Sequence, residues 1–600
     1  MPEINMRRWL LSLIFLLLPA AQSFAAESLS PRLVRVAYQQ VDQWVREWDI
    51  PRDKPVILDG VQGVKVILRM GGSVIGRGVV LRDPDQINSR SDSDDTLLAR
   101  AVTIAMRQAR KKIPVERDAL EEESLRQAAR AILIDVELAD EFIPLQVEDA
   151  AGVYRWTADT SYGLAANLDG KLAAIFPGTM RSGGQIGVGA LRAVMGELGT
   201  IPLNLKDLLN AGRITLYRFR SLQRAQPAPG APSRLMHRGG KVVELTEVRR
   251  DTLLKTAQLI AGHIESRLWP GDEQYGLMEV YRPWIDDADP GYASTSQDAL
   301  AAFALIRFSK IAGHEVSQRE NALASAMELL NRINKRLNSK KPEVLTVDAA
   351  SLVVVTCLEL PDDLQNEKTA GLLKQTAEIL QKIMVDDNLR KTAENGSAQN
   401  RAILVFALAS LQKQVPEITS EWRIGDFVDD LWNDVPPNML PDVMPFLGWA
   451  EQRLHGGGAA HTALLRNMRQ MVWDHQVEAE NSSSQDRDLL GGVIFSRGTS
   501  SLPTWQTVRP VAYIASMLQQ KTLTRKEEIP SEVVHLTQAM RFLMQLTMRE
   551  DELYMAKNPT RARGGVRAAV WDNHMPIDAS SLSLLTITEM LNSLDHLASP

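Results

Sequence analysis

The chain has 600 residues and a mass of 66.7 kDa, too much for one ordinary core and enough for roughly three to five units of ordinary domain size. With 44% hydrophobic and 24% charged residues it sits among globular sequences, which sets disorder and coiled coil aside. A net charge of −6 gives no reason to expect nucleic acid as a partner, and a single cysteine, Cys357, excludes an intrachain disulfide and a cysteine-rich zinc site.

Residues 1–25 read as a signal peptide. Arg7 and Arg8 form a basic start, Trp9 to Leu18 is apolar apart from Ser12, Pro19 breaks the helix, and Ser23-Phe24-Ala25 places small residues where a signal peptidase reads. The run is shorter than the about 20 apolar residues of a membrane span, and no cysteine follows it to carry a lipid anchor. The expectation is an exported chain, periplasmic or secreted, with no stable membrane insertion after cleavage. The low cysteine count favours a bacterial periplasm.

Residues 26–222 read as an α+β domain. A helix over Leu33 to Trp48 precedes a small spacer, Pro51 to Pro55. Val64 to Arg69 and Val74 to Leu81 are β-branched runs around Gly71-Gly72, the pattern of a hairpin. Asp94 and Asp95 lead into a helix over Thr96 to Lys112, and Ala131 to Leu138 is a strand. Tyr162 to Phe176 forms a second hairpin across Asp169-Gly170. A helix over Val188 to Leu198 and a strand over Arg213 to Arg220 complete the half.

This order resembles the AMMECR-one family. The matching pieces are Gly63-Val-Lys-Val-Ile-Leu with the Ile75-Gly-Arg-Gly78 turn, the strand ending Phe142-Ile-Pro-Leu145, Gly163-Leu164, Asp169-Gly170-Lys171, Ile175-Phe-Pro177 and Leu216-Tyr-Arg-Phe219. The resemblance covers roughly Leu33 to Ser221 and implies an α+β fold. Arg77 stands where the family carries a cysteine, so a nucleophilic role of that thiol would be lost here. Gly184-Gln-Ile-Gly-Val-Gly189 is not a dinucleotide motif, because Arg192 replaces the third glycine and no Lys-Ser/Thr pair follows. It reads as a flexible loop before a helix, and no cofactor is indicated.

Residues 223–243 read as a Pro/Gly-rich linker around Ala225-Gln-Pro-Ala-Pro-Gly-Ala-Pro-Ser233. Beyond it, over residues 244–600, polar-faced helices alternate with apolar, alanine-rich ones. The first type covers 244–269, 317–337, 363–384, 420–432, 459–477 and 530–549. The second covers 296–310, 348–360, 397–413, 439–454, 504–520 and 578–594. A helix apolar nearly all round must be buried on every side, so six of each describe an (α/α)6 toroid. The fold class is therefore multidomain, an N-terminal α+β domain followed by an all-α toroid. Tyr275-Gly276-Leu277, Gly491-Gly492-Val493 and Gly564-Gly565-Val566 introduce three inner helices. This grammar resembles the repeats of terpenoid-cyclase and prenyltransferase toroids and, less specifically, those of glycan hydrolases and lyases. The Asp-x-Asp-Asp of terpenoid cyclases is absent, no metal-ligand spacing occurs, and Cys357 reads as a buried small hydrophobe.

The loops entering the inner helices carry the chemistry. The 269–292 loop holds Tyr275, Glu279, Tyr281, Arg282, Trp284, Asp286, Asp287 and Asp289. The fifth loop holds Arg497, Trp505 and Arg509, and the last holds Arg567, Trp571, Asp572, Asn573, His574 and Asp578. Asp287, His574 and Glu279 are the candidate acids and bases. Tyr275, Tyr281, Arg282, Trp284, Asp286, Trp505, Arg509, Arg567 and Trp571 are candidate ligand contacts, since rings stack on pyranose faces and arginine forks a uronic carboxylate. Asp348, Asp578 and Thr295 precede inner helices and read first as N-caps. The expected function is an envelope protein whose toroid binds a polysaccharide or another envelope protein. A hydrolase or lyase is the alternative, and a terpenoid-cyclase-like activity a distant third.

Overall fold

The computed structural model describes residues 29–598 apart from 50–57, 59, 83–96, 115–120, 272, 290, 312, 314, 387–390, 392, 394, 415–423, 457–458 and 496–501. Residues 1–25, the Pro51 to Pro55 spacer, Asp94, Asp95 and Arg497 lie outside the described residues. No helix among those described is long and apolar enough to cross a membrane.

The first half is built on two antiparallel sheets. Helix α1 (Pro31–Glu47) starts at Ser30, whose hydroxyl accepts the Leu33 N–H at 3.1 Å. It buries Val34, Val41 and Trp44 against the first sheet. That sheet runs β2-β1-β3-β8-β9, from β1 (Gly63–Met70), β2 (Ser73–Leu81), β3 (Leu133–Ala139), β8 (Ser221–Ala225) and β9 (Arg234–Met236). Helix α2 (Leu97–Arg110) covers its β1–β2 hairpin. The second sheet runs β4-β7-β5-β6, from β4 (Ile143–Pro144), β5 (Gly163–Leu168), β6 (Lys171–Ile175) and β7 (Ile214–Phe219). Helices α3 (Ala150–Thr157) and α4 (Val188–Glu197) pack together beside it.

The 223–243 stretch differs from the expected free linker. Its start pairs with β3 as part of β8 and then with β9, so residues 226–233 are the loop of a hairpin. Gln226 Nε2 donates to the Ala231 carbonyl at 2.9 Å, closing that loop. The physical reason is the sheet edge: without β8, β3 would present unpaired backbone groups. The prolines fall in the loop, where they cost no ladder bond.

The second half is a double ring of helices. The inner helices are α6 (Thr295–Ser309), α8 (Val347–Leu358), α10 (Ala398–Gln414), α12 (Phe446–Leu454), α14 (Val508–Met517) and α16 (Ile577–Ala598). The outer ones are α5 (Arg250–Ser266), α7 (Val316–Leu337), α9 (Glu367–Val385), α11 (Ile424–Asp434), α13 (Thr462–Asp474) and α15 (Ile529–Leu546). Each inner helix packs on the next, and α16 returns to α6, so the ring closes. Twelve of the fifteen residues of α6 are buried, against six of the twenty-two of α7, which is what assigns them to inner and outer layers.

The three glycine-containing repeats are structurally equivalent. Leu277, Val493 and Val566 each form a β-bridge to the end of the preceding outer helix, at Leu268, Gln476 and Thr547. The N–H of each is then taken by a side chain of an inner segment: Asp298 at 2.8 Å, Thr507 at 3.1 Å and Ser580 at 3.5 Å. Below these entries the ring is stopped by Phe303, Phe406, Phe446 and Trp449, whose centroids lie 5.7–6.2 Å apart at their contacts. Arg307 lies 4.7 Å from the Trp449 ring and pairs with Glu589 at 3.1 Å beneath this plug.

The halves are joined by buried polar contacts. Beside the junction, within the first half, Lys65 pairs with Glu137, both fully buried, and Glu137 also accepts from the Gly178 N–H and the Ser221 hydroxyl. Burial opposes the ionisation of Glu137, but Lys65 and Arg181 outweigh it and hold the carboxyl below its ordinary range. Arg181 reaches Gln223, which donates to the Tyr554 hydroxyl of the second half at 3.2 Å. Arg238 pairs with Asp488 and Asp486 at 2.5 and 3.0 Å, and Asn573 donates to the Arg181 carbonyl at 3.2 Å.

Candidate functional site

The site begins with a small sheet that joins the first and last loops of the ring. Strand β10 (Val280–Arg282) pairs with β11 (Asp287–Ala288) on one side and with β12 (Met575–Pro576) on the other. Val280 opposes Pro576, and the Ile577 N–H donates to the Glu279 carbonyl at 3.1 Å. This register sets Glu279 beside the first turn of α16 and therefore beside Asp578, 299 positions later.

Both carboxylates line a cup at the N-terminal ends of the inner helices. The cup is about 540 Å³, walled by Glu279, Ser296, Gln297, Asp348, Asn400, Arg509 and Asp578 and floored by Leu300, Leu352, Ile403, Phe446 and Leu582. Gln297 organises it. Its Oε1 accepts the Ser294 N–H at 2.9 Å in the capping box of α6, which turns its Nε2 towards Asp578 at 3.3 Å and Glu279 at 3.5 Å. A helix cap thus fixes the amide that bridges two acids. Burial pushes the Asp578 carboxyl up, against the lowering effect of Gln297 and Arg509. Across the cup, Asp348 accepts the Ser296 hydroxyl at 2.5 Å.

Gln399 and Arg509 line this cup and also a second cavity of about 740 Å³, so the two are contiguous. The outer cavity is walled by Trp505, Trp571, Phe495, Asp442 and Asp572 from the ring and by Tyr154 and Ile186 from the first half. Arg509 lies with its guanidinium 5.3 Å from the Trp505 ring, and its Nη1 is buried without a hydrogen-bond partner among the described residues. Among the described residues, the charged side chains of the two cavities are five carboxylates and one guanidinium.

Of the residues singled out from sequence, Glu279, Trp505, Arg509 and Trp571 line these cavities, as do Asp348, Asp572 and Asp578, while the other candidate acids, bases and ligand contacts do not. Arg282 is committed to Asp287 at 2.8 Å and Asp289 at 3.1 Å across the β10–β11 pair, which turns Asp287 to solvent. Tyr281 is fully buried and donates to Asp286 at 2.7 Å, and Asp286 is also bound by Asn558 and Arg561. Arg567 is buried on backbone carbonyls, among them Leu546 at 3.2 Å. Tyr275 stacks on Tyr292 at 4.2 Å. His574 is held by Asp572 at 2.6 Å and meets the edge of Trp284, behind the cavity wall. Thr295 donates to Glu343, and the N-caps of α6 and α8 are Ser294 and Thr346. Asp348 and Asp578 are therefore not caps but reach across to α6. Gln297, Asp442 and Tyr154 carried no sequence signal beyond their place near a helix end. Cys357 is buried in α8, where burial pushes its thiol up to about 12. No group of three or more metal-ligating side chains occurs among the described residues.

No family model and no curated protein matches the chain. Among solved structures, an uncharacterized protein of Pyrococcus horikoshii is similar over 34% of this chain and 95% of its own, at 16% identity and a TM-score of 0.25. An α-1,6-mannanase of Salegentibacter sp. HEL1_6, in an inactive variant with α-1,6-mannotetrose, is similar over 57% of this chain and 99% of its own, at 10% identity and a TM-score of 0.38. A family 76 glycoside hydrolase from a bovine Bacteroides thetaiotaomicron strain covers 78% of this chain and 97% of its own, at 9% identity and a TM-score of 0.34.

Proposed function

We propose that this is an exported envelope protein whose helical ring binds a carbohydrate chain in the cup and its outer cavity. The observation that carries the reading is the Gln297-bridged pair Glu279 and Asp578 at the head of a blind cavity, continued by Trp505 and Trp571. Polar groups that bond hydroxyls beside aromatic faces suit a sugar. The charge balance among the described residues favours neutral or amino sugars over uronic acids, because there Arg509 stands with five carboxylates. The first half, in this reading, is an AMMECR-one-like domain without its thiol chemistry. Arg77, at the family's cysteine position, takes a structural part, its N–H donating to Gln108 at 3.0 Å and its guanidinium 3.7 Å from Glu197.

Hydrolysis is a second reading with its own support. Glycosidases need one protonated and one ionised carboxyl flanking the bond, roughly 5–9.5 Å apart. Asp578 is biased towards its protonated form, and it shares one nitrogen with Glu279. β-Elimination is disfavoured, since it needs cations to neutralise a uronate. The test is a glycan array with neutral, amino and uronic oligosaccharides, run beside a reducing-end assay on the same ligands. Retention of neutral or amino sugars, lost in Glu279→Gln, supports binding, and new reducing ends supports hydrolysis. Preferential retention of uronates, or of nothing, overturns the proposal.

A further inference from the structure

The loop Gly184 to Gly189 has a defined packing task. Gly187 has φ +55°, and a Cβ there would fall 2.4 Å from the Tyr154 ring. Gly184 has φ +60°, and a Cβ there would fall 2.3 Å from the Trp284 ring. Two aromatic rings therefore lie directly on the loop backbone, one from each half of the molecule. Any side chain at either position would displace its ring, and the left-handed backbone favours glycine in addition.

The two rings point the loop's neighbours at the outer cavity. Trp284 meets His574 edge-on at 4.8 Å, and His574 is bound to Asp572, a wall residue. On the other face, α3 starts at Asp149, which accepts the Gly152 N–H at 3.0 Å, and ends at Thr157, whose carbonyl accepts the Gly187 N–H at 3.3 Å. That helix carries Tyr154 and leads to Ala158, and both line the cavity with Ile186. The wall is held firmly, since Arg238, Asn573 and Tyr554 bind the halves together through buried contacts.

From this we infer that the first half is part of the ligand site: Tyr154 is a sugar-stacking residue in the cavity it shares with Trp505 and Trp571, and the protein reads the length of its carbohydrate. The inference rests on the carbohydrate reading above. The inner cup, about 540 Å³, holds the end of the chain, and units beyond it pass Gln399 and Arg509 into the outer cavity of about 740 Å³. Trp505 and the nearly buried Trp571 line that cavity from the ring, and Tyr154 lines it from the first half. A dimer fits within the cup and does not reach Tyr154, whereas a hexamer does.

The test measures affinity of the full chain for manno-, gluco- and chito-oligosaccharides of two and six units by calorimetry. Wild type is expected to bind the hexamer of the preferred series about tenfold or more tighter than its dimer, in line with the usual worth of an aromatic anchor. Tyr154→Ala should erase most of that advantage and leave the dimer unchanged, and Tyr154→Phe should restore it. Ala158→Trp, which fills the outer cavity from the same helix, should act like Tyr154→Ala and keeps the test open if that variant unfolds. A full hexamer advantage retained in folded Tyr154→Ala and Ala158→Trp overturns the inference while leaving carbohydrate binding intact. Equal binding of dimer and hexamer by wild type also overturns it. If wild type binds none of the series, the carbohydrate reading itself falls, and this inference with it.

Discussion

Two polar clusters of this molecule use charge in opposite ways. At the junction of the halves, Lys65 is paired with Glu137, Arg181 is bonded to Gln223 and Gln223 to Tyr554, all buried, and each charge has an opposite partner close by. In the cup and outer cavity, carboxylates outnumber the single guanidinium among the described residues. Matched charge holds a structure in place. Unmatched charge beside a cavity raises the energy of the fold and is typical of a surface that meets a ligand.

The contrast breaks first at Glu137. Glu137→Ala leaves Lys65 buried without its partner, and unfolding by urea should show a loss of about 3–5 kcal/mol. If the loss is under about 1 kcal/mol, the pairing of charge does not hold this cluster in place. Next in size is a pH effect at His263, which lies under the junction of the first and last loops, 2.9 Å from the Arg561 carbonyl. Burial, with Arg267 beside it, lowers its imidazole to about 3. The unfolded chain binds that proton near its ordinary value, so stability is full above about pH 6.5 and falls as pH drops towards 3. Comparing wild type with His263→Asn between pH 7 and 4 should show a slope lower by up to about 1.4 kcal/mol per pH unit in the variant.

Smaller and opposite in sign is the effect expected in the cup. Folding disfavours ionised Asp578, so Asp578→Asn should leave stability unchanged or raise it by about 0.5–2 kcal/mol while weakening ligand retention. A large destabilisation would place Asp578 with the structural cluster instead. Smallest is Arg282→Ala, which removes ion pairs to the exposed Asp287 and Asp289. It should change stability by no more than about 1 kcal/mol and leave ligand affinity as it was, as thermal shift and calorimetry would read.

The ring was legible because its signal is local and repeated. The alanine-rich runs at 296–310 and 348–360 match α6 and α8 within two residues, since burial on all faces leaves a mark on every turn. The loop residues were not legible in the same way. Tyr281 and Trp284 belong to a segment whose strand is three residues long, too short for a period to report which way a side chain points. Asp348 and Asp578 sit where a helix cap would, and only their partners Ser296 and Gln297 on another helix show their different task. Gly184 and Gly187 read only as parts of a flexible loop, because the rings packed on them come from residues 154 and 284 and no local rule connects them.

The β10–β12 pairing has a consequence for the order of assembly. The acids of the cup stand almost 300 positions apart, and the strand that aligns them is supplied by the last hairpin of the ring. Contacts of such separation are slow to form, because the chain entropy of closing them is spent before they stabilise anything. Until the C-terminal hairpin docks, α6 and α14 keep open the faces that α16 later covers, and those faces are apolar. The half-made ring is thus the state most exposed to aggregation on the folding path. Its completion and the creation of the site are one event, so a chain shortened before Met575 loses both together.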